Sequence, residues 1–115
     1  MAFRKPVDER VIVPGGLTDK TINRLWKVAK NKCFEMKYIV ANEDKETGNL
    51  VCTSKRERGD LMIMINFNAQ GFLVTANGVI GDLGFSAAKN LDKKAMANYK
   101  NQMDDALKIA SGINK

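Results

Sequence analysis

Apolar residues recur along this chain at two spacings, and the change from one to the other marks its elements. From Thr18 they fall at Ile22, Leu25, Trp26 and Ala29, an i, i+3, i+4, i+7 pattern that gathers side chains on one face of an α-helix. Thr18 suits the N-cap, because its hydroxyl can accept a backbone N–H of the first turn. Lys20, Arg24 and Lys27 take the opposite face. From Cys33 the spacing becomes two: in CFEMKYIV, Phe34, Met36, Tyr38 and Val40 share one side of a predicted strand. Three more strands follow, separated by the turn-rich stretches NEDKETGN, KRERG and NAQG. Centring the hairpins on these turns pairs Val40 with Leu50 and Tyr38 with Cys52, then Cys52 with Ile65 and Leu50 with Phe67, then Phe67 with Phe72 and Ile65 with Val74. These registers bring the large apolar side chains into rows on one face, and a slip of one residue would turn them outward.

After Asn77 the segment GVIGDLGFSAAKN is rich in small residues and reads as a connection. A second helix is predicted from about Leu91 to Ser111, with Met96, Tyr99, Met103, Ala106, Leu107 and Ala110 as its apolar stripe and Gly112 as its stop. The expected fold is therefore α+β, ordered α-β-β-β-β-α: a four-stranded antiparallel meander with two helices packed on one face. Residues 1–16 combine charge, two prolines and a glycine pair without sustained periodicity and read as a flexible leader or linker. Residues 17–112 form a single domain, as 115 residues with 44% hydrophobic content would suggest.

Charge adds an asymmetry. The formal net charge is +6, and residues 1–32 hold eight Lys or Arg against three acids. This basic first third, with the leader at its start, suits an anionic membrane surface, and nucleic acid is the other anionic partner the balance admits. The Lys55-Arg56-Glu57-Arg58 corner, with Asp60 close by, nets too little charge to attract phosphate and reads as a solvated turn. The same reading covers Glu43, Asp44 and Glu46 in the first hairpin.

The chain contains no histidine, which removes the commonest general base and a common metal ligand. Nucleophile-elbow and glycine-rich phosphate-loop patterns do not occur either, so the expectation is a protein that is not an enzyme and needs no metal or cofactor. Five methionines, Met36, Met62, Met64, Met96 and Met103, could suggest a soft-metal set, but three lie on predicted core faces where methionine is ordinary filling. Cys33 and Cys52 are expected to be free thiols, Cys52 buried. In the strand reading Cys33 lies roughly 16 Å along the strand from the residue facing Cys52, too far for a disulfide.

Several stretches together resemble a group of small bacterial lipoproteins of unknown function. VPGGLTDKTI (Val13 to Ile22) is similar to their V-P-x-G-L-T helix start, and NFNAQGF (Asn66 to Phe72) to a hairpin turn. Asp82-Leu83-Gly84-Phe85 is similar to their N-L-x-Y-D loop, and Met96, Tyr99, Met103 and Leu107 to a final helix with Y-N-x-W spacing. The chain departs from that pattern in lacking a histidine before the last helix, in Asp82 for Asn and in Met96 for Tyr. The resemblance implies a periplasmic domain, lipid-anchored to a membrane if the precursor carries a signal peptide, with Met1 standing where the lipidated cysteine would be; otherwise the chain is cytoplasmic. It supplies no catalytic residue.

Two binding readings follow. The first is protein binding, to a partner or as a homodimer, through the sheet face that the helices leave bare. There the registers group Ile39, Val51, Asn66 and Leu73 in one row, with Thr53, Met64 and Thr75 in the next and Met62 nearby. A contiguous apolar patch of this kind marks an association surface. The alternative is a double-stranded RNA-binding-like module, because GFSAAKNLDKKAMANY would set Lys89, Lys93 and Lys94 around the basic start of the second helix.

Overall fold

The structure is a computed structural model that describes residues 8–56, 59–80 and 85–113, with side chains described outside 56, 59, 79–80 and 85–93. Its elements are β1 (Val11–Ile12), α1 (Asp19–Glu35), β2 (Ile39–Asp44), β3 (Asn49–Arg56), β4 (Gly59–Asn68), β5 (Gly71–Ile80) and α2 (Phe85–Ala110). The strands form an antiparallel sheet in the order β1-β5-β4-β3-β2. The class is α+β as the pattern predicts, but the described residues build five strands where four were expected.

Thr18 caps α1 through a hydrogen bond from Thr21 N to its Oγ1 at 3.2 Å. Leu25, Trp26 and Ala29 are buried, and so is Cys33, which continues the same stripe one turn further. That continuation corrects the predicted start of the first hairpin strand. The helix runs through Glu35, leaving Phe34 64% exposed, and Lys37 at φ 67° turns the chain into β2. The period of two in CFEMKYIV was short enough to fit either structure, and burial of Cys33 against the sheet decides for the helix.

The added strand comes from the segment read as a linker. Val11 pairs with Phe72 and Ile12 with Gly71. The chain then wraps the β4–β5 turn: Val13 N donates to Gln70 O at 2.9 Å and Leu17 N to Ala69 O at 2.7 Å. The VPGGLT and NFNAQGF stretches are thus packed together. Asn68 Oδ1 shapes that turn by accepting from Gln70 N and Gly71 N at 2.9 and 3.0 Å.

Registers follow the predicted faces more closely than the predicted pairs. Phe67 faces Phe72 and Ile65 faces Val74, as expected. In the middle hairpin, however, Leu50 faces Ile65 and Cys52 faces Ile63, two residues from the expected alignment. A shift of two preserves every inward side chain, so hydrophobic pattern could not detect it. In the first hairpin Val40 faces Cys52, the ladder is irregular between Val40 and Asn42, and Glu43 faces Leu50. An extra residue of this kind resets which side chains point inward.

α2 begins at Phe85 instead of Leu91, and β5 continues to Ile80 through the expected connection. Gly112, at φ 82°, follows its end as predicted. Met103 and Leu107 of α2 join Leu25, Trp26, Ala29 and Cys33 of α1 over Leu50, Cys52, Ile63, Ile65, Phe72 and Val74 in one core. Both helices therefore cover the same side of the sheet, and the other side is left open.

Candidate functional site

Alternation along the strands gives the uncovered face its residues. With Leu50, Cys52, Ile63, Ile65, Phe72 and Val74 turned into the core, Val51, Met62, Met64 and Leu73 must turn away from it. Ile39 on β2 is 58% exposed and Met64 on β4 is 37% exposed, while Val51, Met62 and Leu73 are partly exposed. The five residues singled out as a binding surface thus lie on the open face.

Their grouping differs from the expected rows because two hairpin registers differ. Val51 sits directly between Asn42 and Met64, and Met64 beside Thr75. Ile39 is aligned with Thr53, then Met62, then Asn77. Leu73 instead adjoins Asn66, which faces Asn49. The apolar centre is therefore Val51 and Met64, with Met62 and Ile39 diagonal to them and Leu73 on the far flank.

One border of this patch is a polar bridge that sequence reasoning did not anticipate. Asn66 Nδ2 donates to Asn49 Oδ1 at 2.8 Å and to Thr47 O at 3.3 Å. Arg10 reaches from the start of the chain's edge segment to donate to both the carbonyl and the side-chain oxygen of Asn66. The Asn66–Asn49 hydrogen bond and the two-pronged contact of Arg10 with Asn66 hold this border in place, whereas methionine beside it is a flexible side chain that can adapt to what it meets. The signal available beforehand was the run of asparagines at 49, 66 and 68, but the role of Arg10 required the missing strand.

The other predicted chemistry is placed as follows. Lys89, Lys93 and Lys94 lie on α2, with Lys94 exposed and the side chains of the other two outside the described residues. Because α2 starts at Phe85, Lys93 and Lys94 are in its third turn, which corrects the idea that they form the helix start. Arg56 ends β3 and Gly59 begins β4, so the KRER stretch falls at their junction; residues 57–58 lie outside the described set. Positions 82–84 of the lipoprotein-like loop lie outside it as well.

Glu43 is not in a turn. The irregularity in β2 directs it toward the helix layer, where it accepts from Trp26 Nε1 at 2.7 Å and from Lys30 Nζ at 3.2 Å. The indole hydrogen bond, with Lys30 next, holds its carboxyl below the ordinary carboxylate value. Asp44 does shape the turn, accepting from Glu46 N and Thr47 N through Oδ1. On α2, Lys100 is buried and pairs with Asp104 at 2.7 Å, with Asp8 3.9 Å away. This ties the start of the described chain to the second helix.

Cys33 and Cys52 are both free and Cys52 is buried, as expected; Cys33 is buried too, on the helix and not on a strand, so the strand spacing used to separate the two does not apply. Interaction with Cys52, then burial, pushes the Cys33 thiol far up, and interaction with Cys33 lowers Cys52. Among the described residues there is no group of three or more His, Cys, Asp or Glu placed to hold a metal ion, and no helix is long and apolar enough to cross a membrane. No protein-family model, curated protein or solved structure matches the chain.

Proposed function

We propose that this chain is a non-enzymatic, lipoprotein-like periplasmic domain, tethered to a membrane, that binds another protein through the open face of its sheet. The observation that carries the binding reading is the Val51–Met64 pair at the centre of that face, flanked by Met62 and the 58%-exposed Ile39. Adaptable apolar side chains inside a polar border are the usual anatomy of an association surface. The non-enzymatic part rests on the absence of histidine and of recognisable catalytic patterns in the chain. The tether rests on the lipoprotein resemblance, and the basic face of α1 is compatible with it.

The test is a pair of charges placed in the patch. Val51→Lys with Met64→Lys should leave the unfolding midpoint nearly unchanged, because both side chains point away from the core, and should abolish self-association seen by light scattering or capture of a specific partner by the native chain. If the unaltered protein is monomeric at high concentration and captures nothing that the variant loses, the binding reading fails. The tether is tested separately by the reading frame upstream of Met1. An apolar segment ending in cysteine supports it, and initiation at Met1 removes it. Tight, steeply salt-dependent binding of duplex RNA that weakens in Lys93→Ala and Lys94→Ala would instead favour the nucleic-acid alternative.

A further inference from the structure

Two large apolar side chains stand outside both the core and the open sheet face. Phe34, in the last turn of α1, is 64% exposed, and Ile109, in the last turn of α2, is 75% exposed. Helical spacing shows which way they point. Lys20, Arg24, Lys27, Asn31 and Phe34 follow one another at steps of four and three, forming a single exposed stripe turned away from buried Leu25, Ala29 and Cys33. Ile109 lies two residues beyond buried Leu107, hence on the side of α2 opposite the core. Arg24 donates to Ala110 O at 3.2 Å, so the end of α2 that carries Ile109 adjoins the stripe.

Cations and apolar side chains thus share the outer surface of the helix layer. The α1 stripe contains no acid. Of the acids near it, Glu35 is paired with Lys32 at 3.5 Å and Asp105 is exposed on α2. Either apolar side chain alone would be ordinary on a protein surface. Beside three cations they match a bilayer interface, where Lys and Arg meet anionic headgroups and apolar side chains enter the acyl boundary. A nucleic-acid duplex would engage the cations through its phosphates and leave Phe34 and Ile109 in water.

We propose that the outer surface of the helix layer binds anionic phospholipid bilayers directly, with Lys20, Arg24 and Lys27 at the headgroups and Phe34 and Ile109 as apolar anchors. The contact belongs to the folded domain itself. It therefore requires neither a lipid tether nor the open-face partner, and failure of either of those readings leaves it standing.

The experiment titrates the full chain, carrying no lipid, with vesicles of phosphatidylcholine alone and of phosphatidylcholine mixed with phosphatidylglycerol. The expected result is binding to the mixed vesicles only. Phe34→Ser with Ile109→Ser should weaken it about tenfold or more at constant salt, since both side chains leave water in the bound state. Both face water in the free protein, so this variant should keep the native urea midpoint. Insertion is read separately in Phe34→Trp. Vesicles with brominated acyl chains should quench the introduced indole, whereas the native chain, whose Trp26 is buried in the core, should be little quenched. Absence of binding to the mixed vesicles, undiminished binding by the double serine variant, or an introduced indole left unquenched would each overturn the proposal. If the surface binds duplex RNA and the serine variant is unaltered toward vesicles, it is a phosphate site and the proposal fails as well.

Discussion

Glu43 belongs to a charged run whose composition reads as a hairpin turn, yet its carboxylate receives the indole N–H of the buried Trp26. An indole donor left unsatisfied would be costly, and Lys30 supplies the positive charge that keeps the acceptor ionised. Lys45 completes the arrangement from the turn, 5.8 Å above the Trp26 ring. The pH dependence follows from the direction of the shift. The folded carboxyl titrates below its ordinary value of 4.5, so its stabilisation is fully present above that value and is lost as pH falls through the folded one. Glu43→Gln should therefore lower the urea midpoint at neutral pH, and the gap from the native chain should close as the solution is made acid. A gap that persists unchanged in acid would show that the Trp26 hydrogen bond, and not the charge, carries the effect.

Among the elements, β1 has the least sequence signal and the most specific docking. It contributes two residues to the ladder, and the neighbouring backbone passes so close that a β-carbon on Gly71 would lie 1.7 Å from Val11 O. Only glycine permits that approach. A similar requirement holds at Gly48, where φ is 79° and a β-carbon would meet Phe67 O at 2.1 Å. Gly71→Ala should push β1 off the sheet edge at a cost of about 1–3 kcal/mol, the worth of a few ladder hydrogen bonds. Hydrogen exchange provides the check. The amides of Val11 and Val13 should lose protection while those at the centre of β4 keep it. Because Arg10 reaches Asn66 from the same segment, the polar border of the open face should loosen along with β1.

The whole molecule has two unlike sides. Exposed Lys20, Arg24 and Lys27 line the outer surface of α1, and the apolar patch lies beyond the sheet on the opposite side. A domain held near an anionic membrane would turn the basic side toward the headgroups and leave the patch free for a partner. Binding to vesicles of anionic phospholipid should accordingly fall steeply with salt, and Lys20→Glu with Lys27→Glu should weaken it by about tenfold or more. Val51→Lys with Met64→Lys should not produce that loss. Equal weakening by both double variants would mean that the two sides do not act separately.

The sequence by itself determined which side chains face inward. The α1 stripe, its Thr18 cap, the alternation of β3, β4 and β5, and the Met103–Leu107 stripe of α2 all depend on local periodicity, which the chain states directly. The residues of the open face were legible for the same reason: they are the complement of the core. Tertiary structure decided the alignments that periodicity leaves degenerate. A two-residue shift between β3 and β4 keeps every side chain on its face, so periodicity alone does not select Leu50 opposite Ile65. The irregularity in β2 that sends Glu43 to Trp26 and the pairing of Val11 with Phe72 join residues far apart in the chain. Such contacts depend on where whole elements come to rest, and no local pattern encodes them.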